Sequence, residues 1–129
     1  MDVIIENLPA YVDGFLRTLF LSVVSGIFAL IFGTLLAAAR VSPIAALRGF
    51  SMTYVEIVRN TPLTIAFFFA AVVLHRLGVT FQQFEVAAII ALSAYTSAFI
   101  AEAVRSGVNS VPVGQAEAAR AIGLSFLPA

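Results

Sequence analysis

The stretch TLFLSVVSGIFALIFGTLLAAA, Thr18 to Ala39, is 22 residues without a charged side chain. A helix needs about 20 apolar residues to cross the hydrocarbon core of a bilayer. The run is therefore read as a first membrane span, over about residues 15–39. A cleaved signal peptide is the rival, because Ala37, Ala38 and Ala39 would suit a small-residue protease site. Against it, Asp2, Glu6 and Asp13 outnumber Arg17 in the leader, where a signal needs net positive charge, and the run is longer than a signal core. Ser22, Gly26, Gly33 and Ala37 fall near one helical face, and small residues let helix backbones approach closely in lipid. That stripe predicts a helix packed against others. Ser42-Pro43 then ends it, since the residue before proline is driven out of the α region.

The rest of the chain agrees with lipid as its main solvent. Hydrophobic residues make up 61% of the 129 and charged residues 11%, against roughly 45–50% and about 25% in soluble domains. A chain this short buries too little of its surface to hide that much apolar area in a water-soluble globule. The formal net charge is zero and lysine is absent, which argues against nucleic acid as a partner. There is no cysteine, so disulfides and thiolate metal sites are excluded.

A second span is expected over about residues 52–74, interrupted by Glu56 and Arg59, with Phe67, Phe68 and Phe69 in its apolar half. A third is expected over about residues 86–104. Its uncharged part, Val86 to Ala101, is only 16 residues, so it extends past Glu102 if that carboxylate faces other helices. Arginines in short loops mark the cytoplasmic side. Arg40, Arg48, Arg59, Arg105 and Arg120 fall on one side of a three-span chain, and Arg17 and Arg76 fall on the other with Asp2, Glu6, Asp13 and Glu85. The N-terminus is therefore expected outside.

Two stretches carry candidate chemistry. In Glu56-Ile57-Val58-Arg59-Asn60-Thr61-Pro62-Leu63, Glu56 and Arg59 stand three apart and would neutralise each other on a helix. Pro62 removes a backbone donor and kinks the span, freeing carbonyls that only a protein-lined or wet cavity tolerates. Ionisable groups at this depth mark either a substrate path or an interfacial anchor. His75 and Arg76 are placed at the outer interface, with no second histidine to form a metal pair. The other stretch runs from Val111 to Gly123. Pro112 suits a first helical turn and Gly123 a C-terminal stop, enclosing a short helix over about residues 112–123. A helix of that length is marginal in water. It must dock on something, through Ala118, Ala119 and Ile122 with Gln115, Glu117 and Arg120 as polar contacts.

The segment Gly114-Gln115-Ala116-Glu117-Ala118-Ala119-Arg120-Ala121-Ile122-Gly123 resembles the cytoplasmic EAA motif of permease subunits of bacterial ABC importers for polar amino acids. Tyr95 to Gly107, with Glu102 and Arg105, resembles that family's Tyr/Glu/Arg/Gly segment, and Arg59-Asn60-Thr61-Pro62-Leu63 its Arg-(Gly/Asn)-Thr-Pro-Leu element. Arg40-Val41-Ser42-Pro43 and Val58 to Thr64 look most like actinobacterial glutamate permeases. The resemblance runs from Phe15 onward and departs after Gly123. Family members continue to an Ile-x-Leu-Pro element and two further spans, so the chain looks like the N-terminal part of a permease.

What the resemblance implies is an all-α integral membrane fold of the type I importer class, with three spans followed by a cytoplasmic coupling helix. It implies a subunit that is not itself an enzyme. ATP and magnesium bind a partner ATPase dimer, and this chain binds no cofactor; consistently, it has no phosphate-binding glycine loop ending in lysine. The other implied partners are a second permease subunit, an extracytoplasmic amino acid-binding protein and the lipid of the bacterial cytoplasmic membrane. Gly114, Gln115, Glu117, Ala118, Ala119 and Gly123 would couple to the ATPase. Glu56, Arg59, Asn60, Thr61, Pro62, Tyr95, Glu102 and Arg105 would line a substrate path or gate. The alternative is a truncated fragment, or a small membrane protein that binds or regulates partners without transporting. A membrane enzyme lacks support, for no nucleophile–base pair or ligand cluster is seen.

Overall fold

The computed structural model describes residues 2–78 and 84–124. Six helices account for almost all of them: α1 Asp2–Glu6, α2 Leu8–Arg40, α3 Ala45–Arg59, α4 Leu63–Arg76, α5 Phe84–Asn109 and α6 Val113–Ala121. α2 and α5 are each long and apolar enough to cross a membrane, whereas α3 and α4 reach that threshold only as a pair.

α2 is longer than the expected first span, for it begins at Leu8 with Pro9 in its first turn, where a missing N–H costs nothing. Asp13 and Arg17 thereby fall within the helix and pair at 2.9 Å, one turn apart. At the other end, Val41 and Ser42 donate to the carbonyls of Ala38 and Ala39. This tightened turn closes the helix ahead of Pro43.

α2 and α5 form the centre of the molecule and run parallel. Arg17 meets Glu85 at 3.1 Å, the Ser93 hydroxyl reaches the Ser25 carbonyl at 3.4 Å, and Arg40 meets Glu102 at 2.6 Å. The residues between them are small. On α2 the buried set is Ser25, Ala29, Gly33 and Ala37, and on α5 it includes Ala87, Ala91, Ser97, Ala98 and Ala101. The expected stripe was half right: Gly33 and Ala37 are in the seam, whereas Ser22 is exposed and Gly26 has open space where a side chain would go. The true stripe repeats every fourth residue, which keeps it on one side as the helices cross. Gly33 is its tightest point. A Cβ there would stand 2.6 Å from Ile100 Cγ2 and 2.9 Å from the Ser97 carbonyl oxygen.

Large apolar side chains point the other way. Phe28, Phe32, Leu35, Phe68 and Phe69 are all exposed. A small-residue interior with an aromatic and aliphatic exterior is the arrangement expected when packing, not exclusion from water, holds helices together.

The second span departs from expectation. It is not one kinked helix over 52–74 but two helices whose axes turn by 109° at Asn60-Thr61-Pro62. Three local causes add up there. The Asn60 side chain donates to the Glu56 carbonyl and the Thr61 hydroxyl to the Ile57 carbonyl, each at 2.8 Å. Pro62 supplies no donor and excludes Thr61 from helical geometry. α3 starts seven residues earlier than Met52, at Ala45, and buries Ser51 and Val55 against the α2–α5 pair. There Val55 joins Ala37, Ala98 and Ala101 in one core cluster. Hydroxyls fasten it: Ser51 donates to the Leu36 carbonyl at 2.7 Å, and Tyr54 donates to the Ala94 carbonyl at 2.8 Å. α4 then packs along α5. α5 does continue through Glu102 to Asn109.

Candidate functional site

Glu102 is the hub of the polar end of the molecule. α5 carries it on a face directed at its neighbours, leaving its side chain 19% exposed. Arg40, the last residue of α2, donates to one carboxylate oxygen at 2.6 Å. Arg105, one turn along α5, donates to the other. Arg59, the last residue of α3, approaches to 3.7 Å and places its guanidinium 5.8 Å from the centre of the Phe99 ring. Side chains from α2, α3 and α5 thus converge on one carboxylate.

Arg40, Met52, Glu56, Arg59, Asn60, Phe99 and Glu102 line a cavity of about 430 Å³ beside this hub. That size lies within the range of small-molecule sites. The expected mutual neutralisation of Glu56 and Arg59 is not what the structure shows. Arg59 is drawn across to Glu102 and Phe99, and Glu56 is exposed without an ion pair among the described residues. Helical spacing made the two neighbours, but a carboxylate on another helix and an aromatic face compete for the same guanidinium.

The remaining path candidates divide. Asn60 lines the cavity, while Thr61 turns into a second, largely apolar cavity of about 670 Å³, inside the α3–α4 elbow, with Tyr54 and Tyr95. Tyr95 packs its ring on Phe99 at 5.2 Å. Pro62 is exposed and acts through the backbone. Two residues of the site went unnoticed in sequence. Arg40 reads in sequence as a loop charge and as part of the Arg40-Val41-Ser42-Pro43 resemblance, not as a site residue, because its partner Glu102 is 62 positions away. Phe99 looked like one more apolar residue of a span. No local spacing announces either.

α6 is a separate object. It begins at Val113, one residue after Pro112, whose extended ψ of 138° makes it the cap rather than the first turn. Its end is a Schellman stop: Gly123 has φ +85°, Gly123 donates to the Arg120 carbonyl and Leu124 to that of Ala119, both at 3.0 Å. Gln115, Glu117 and Ala118 are exposed, and Ala119 is only half-buried. A Cβ on Gly114 would meet nothing. Among the described residues, α6 packs on no other helix.

Comparison with known proteins places this architecture. Residues 29–128 match the family described as "Binding-protein-dependent transport system inner membrane component". The chain is 43% identical to the "Glutamate transport system permease protein GluC" of Corynebacterium glutamicum, over 92% of its own length and 57% of the relative's. It is 37% identical to the "Probable glutamine ABC transporter permease protein GlnM" of Bacillus subtilis, over 98% of its length and 58% of the relative's. A solved structure titled "Crystal structure of an amino acid ABC transporter with histidines" superposes with a TM-score of 0.85 at 28% identity, covering 97% of this chain and 58% of the other. The chain thus spans somewhat over half the length of these relatives. An all-helical membrane fold, a match over residues 29–128 and relatives described as permease proteins lead to one conclusion: the chain belongs to the binding-protein-dependent transport system inner membrane component family, the permeases of ABC importers.

Proposed function

We propose that the chain acts as a permease subunit of an ATP-driven importer for glutamate or another polar amino acid, with α6 as the element that engages the ATPase. The observation that carries this reading is the state of α6. A nine-residue helix is too short to be stable by itself in water, yet it is built with a defined cap and stop and touches no described helix. Such an element gains its stability from a partner. The relatives described as glutamate and glutamine permeases supply the substrate class.

In this reading the N-terminus lies outside, where a binding protein delivers the amino acid. Two permease subunits enclose the path, and the cavity beside Glu102, with Glu56, Arg59, Asn60, Thr61, Pro62, Tyr95 and Arg105, forms this chain's part of the path or its gate. ATP and magnesium reside on the paired ATPases at the end of the molecule that carries Arg40 and Arg105. Glu117 makes the main polar contact to the ATPase, and Gly123 permits close backbone approach.

Co-purification from cells that co-express the chain with its cognate ATPase tests this. Glu117→Lys places a mismatched charge in the contact, a change that costs about 2–5 kcal/mol at buried charge pairs. Gly123→Val forces a β-branched residue into positive φ and disrupts the stop. Both should insert normally in the membrane and lose the ATPase. Undiminished co-purification of both variants would refute the assignment of α6.

A further inference from the structure

A groove of about 670 Å³ lies where α2, α3 and α5 meet, away from the Glu102 cavity. Phe28, Phe32, Leu35 and Leu36 of α2 and Leu47 and Phe50 of α3 line it. Two ring pairs stiffen its walls, Phe28 on Phe32 at 6.4 Å and Phe50 on Tyr54 at 6.2 Å. Phe32, Leu35, Leu47 and Phe50 are all exposed, so the groove stays open to the surrounding lipid. Its hydroxyls are already engaged: Tyr54 and Ser97 both donate to the Ala94 carbonyl, and Ser93 reaches that of Ser25. They ask nothing of an occupant, and the groove suits a hydrocarbon rather than a polar solute.

The lining also argues against a helix as the occupant. Where α2 meets α5, the contact is made by Ser, Ala and Gly; the bulky side chains of the groove keep a second backbone from approaching that closely, whereas a flexible chain lies between them. The groove extends along α2 from Phe28 to Ala39, about 16 Å at the α-helical rise, which matches the roughly 15 Å of one leaflet of a bilayer core. Its Ala39 end is cationic. Arg48, next to Leu47, is exposed and donates to the Ser42 carbonyl at 3.1 Å, and no ion pair among the described residues includes it. Around it, the first turn of α3 has no acidic side chain and presents the positive end of the helix dipole. Arg40 and Arg105, by contrast, are committed to Glu102.

We propose that the groove is a site for one anionic phospholipid, with an acyl chain laid along Phe32 and Leu35 and the phosphodiester held by Arg48. A guanidinium offers phosphate oxygens paired donors, and a basic side chain at the bilayer surface attracts anionic lipid. The site stands whether or not the chain transports an amino acid.

The chain contains no tryptophan, so a single one reports on the groove. Phe32→Trp and Leu35→Trp place it in the groove wall, and two reporters guard against one that misfolds. Ile31→Trp, one residue away, exposed and outside the groove, reports the ordinary lipid surface at nearly the same depth. Each full-length variant is placed in phosphatidylcholine nanodiscs with a minor fraction of either phosphatidylglycerol or phosphatidylcholine carrying brominated acyl chains, and fluorescence quenching is measured. In the groove, brominated phosphatidylglycerol should quench as though enriched about fivefold over brominated phosphatidylcholine, the gain expected from one basic contact. At Ile31→Trp the two lipids should quench alike. Arg48→Gln should abolish the preference, Arg48→Lys should keep most of it, and Arg76→Gln should leave it unchanged. Equal quenching in the groove by both lipids, a preference that survives Arg48→Gln, or the same preference at Ile31→Trp would overturn the site. So would weak quenching by both lipids in the groove, which would mean that a second copy of the chain covers it.

Discussion

Gly33 and Gly26 are both glycines of one membrane helix, and only one of them is essential to packing. A methyl group on Gly33 would press on Ile100 and on the backbone oxygen of Ser97. The side chain can give way, but the carbonyl belongs to α5 and cannot move without it. Gly33→Ala should destabilise the fold by about 1–3 kcal/mol, the usual range for overpacking. Gly26→Ala, with open space around it, should be neutral or stabilising by up to about 1 kcal/mol from helix propensity. Detergent-denaturation curves followed by circular dichroism measure both. The sequence made both glycines candidates because small residues at near-helical spacing mark a packing face. It could not tell them apart, because the phase of the stripe is set by the partner helix. Glu102 teaches the same lesson from the electrostatic side. Its burial was foreseeable from the shortness of the uncharged run before it, whereas Arg40 and Arg59 are brought to it only by tertiary packing.

At the scale of elements, long uniform segments were the most legible. Thr18 to Ala39 announces a span by length and lack of charge, and α5 was extended through Glu102 by the same argument. The elbow between α3 and α4 is sharper than its proline alone implies. Proline alone predicts a kink, but here Asn60 and Thr61 each bond back to the preceding turn and α3 is fastened to α2 and α5 by Ser51, Tyr54 and Val55. Those contacts lie across the sequence and turn a kink into a bend of 109°. α6 was legible almost to the residue, because its proline and glycine signals are local. The parallel course of α2 and α5 puts both N-terminal ends on one side, so the arginine bias gives a sharp expectation. No native cysteine exists. In intact cells a membrane-impermeant maleimide should label Glu6→Cys and spare Ser42→Cys, and the reverse pattern would invert the proposed orientation.

The molecule as a whole divides into a lipid-embedded body and one helix, α6, that packs on no other helix among the described residues. The body is held by the α2–α5 seam, and its amides should exchange slowly, since their hydrogen bonds are both internal and shielded. The amides of α6 have intrahelical bonds but nothing covering them, and such segments open with little cost. Hydrogen–deuterium exchange on the chain in nanodiscs, with and without the ATPase proposed as its partner, therefore tests the central claim most directly. Peptides covering residues 113–121 should exchange fully within seconds in the chain alone, those covering residues 93–101 should remain protected, and addition of the ATPase should slow exchange at 113–121. Exchange at α6 that is unchanged by the ATPase, in a preparation where residues 93–101 stay protected, would contradict the account.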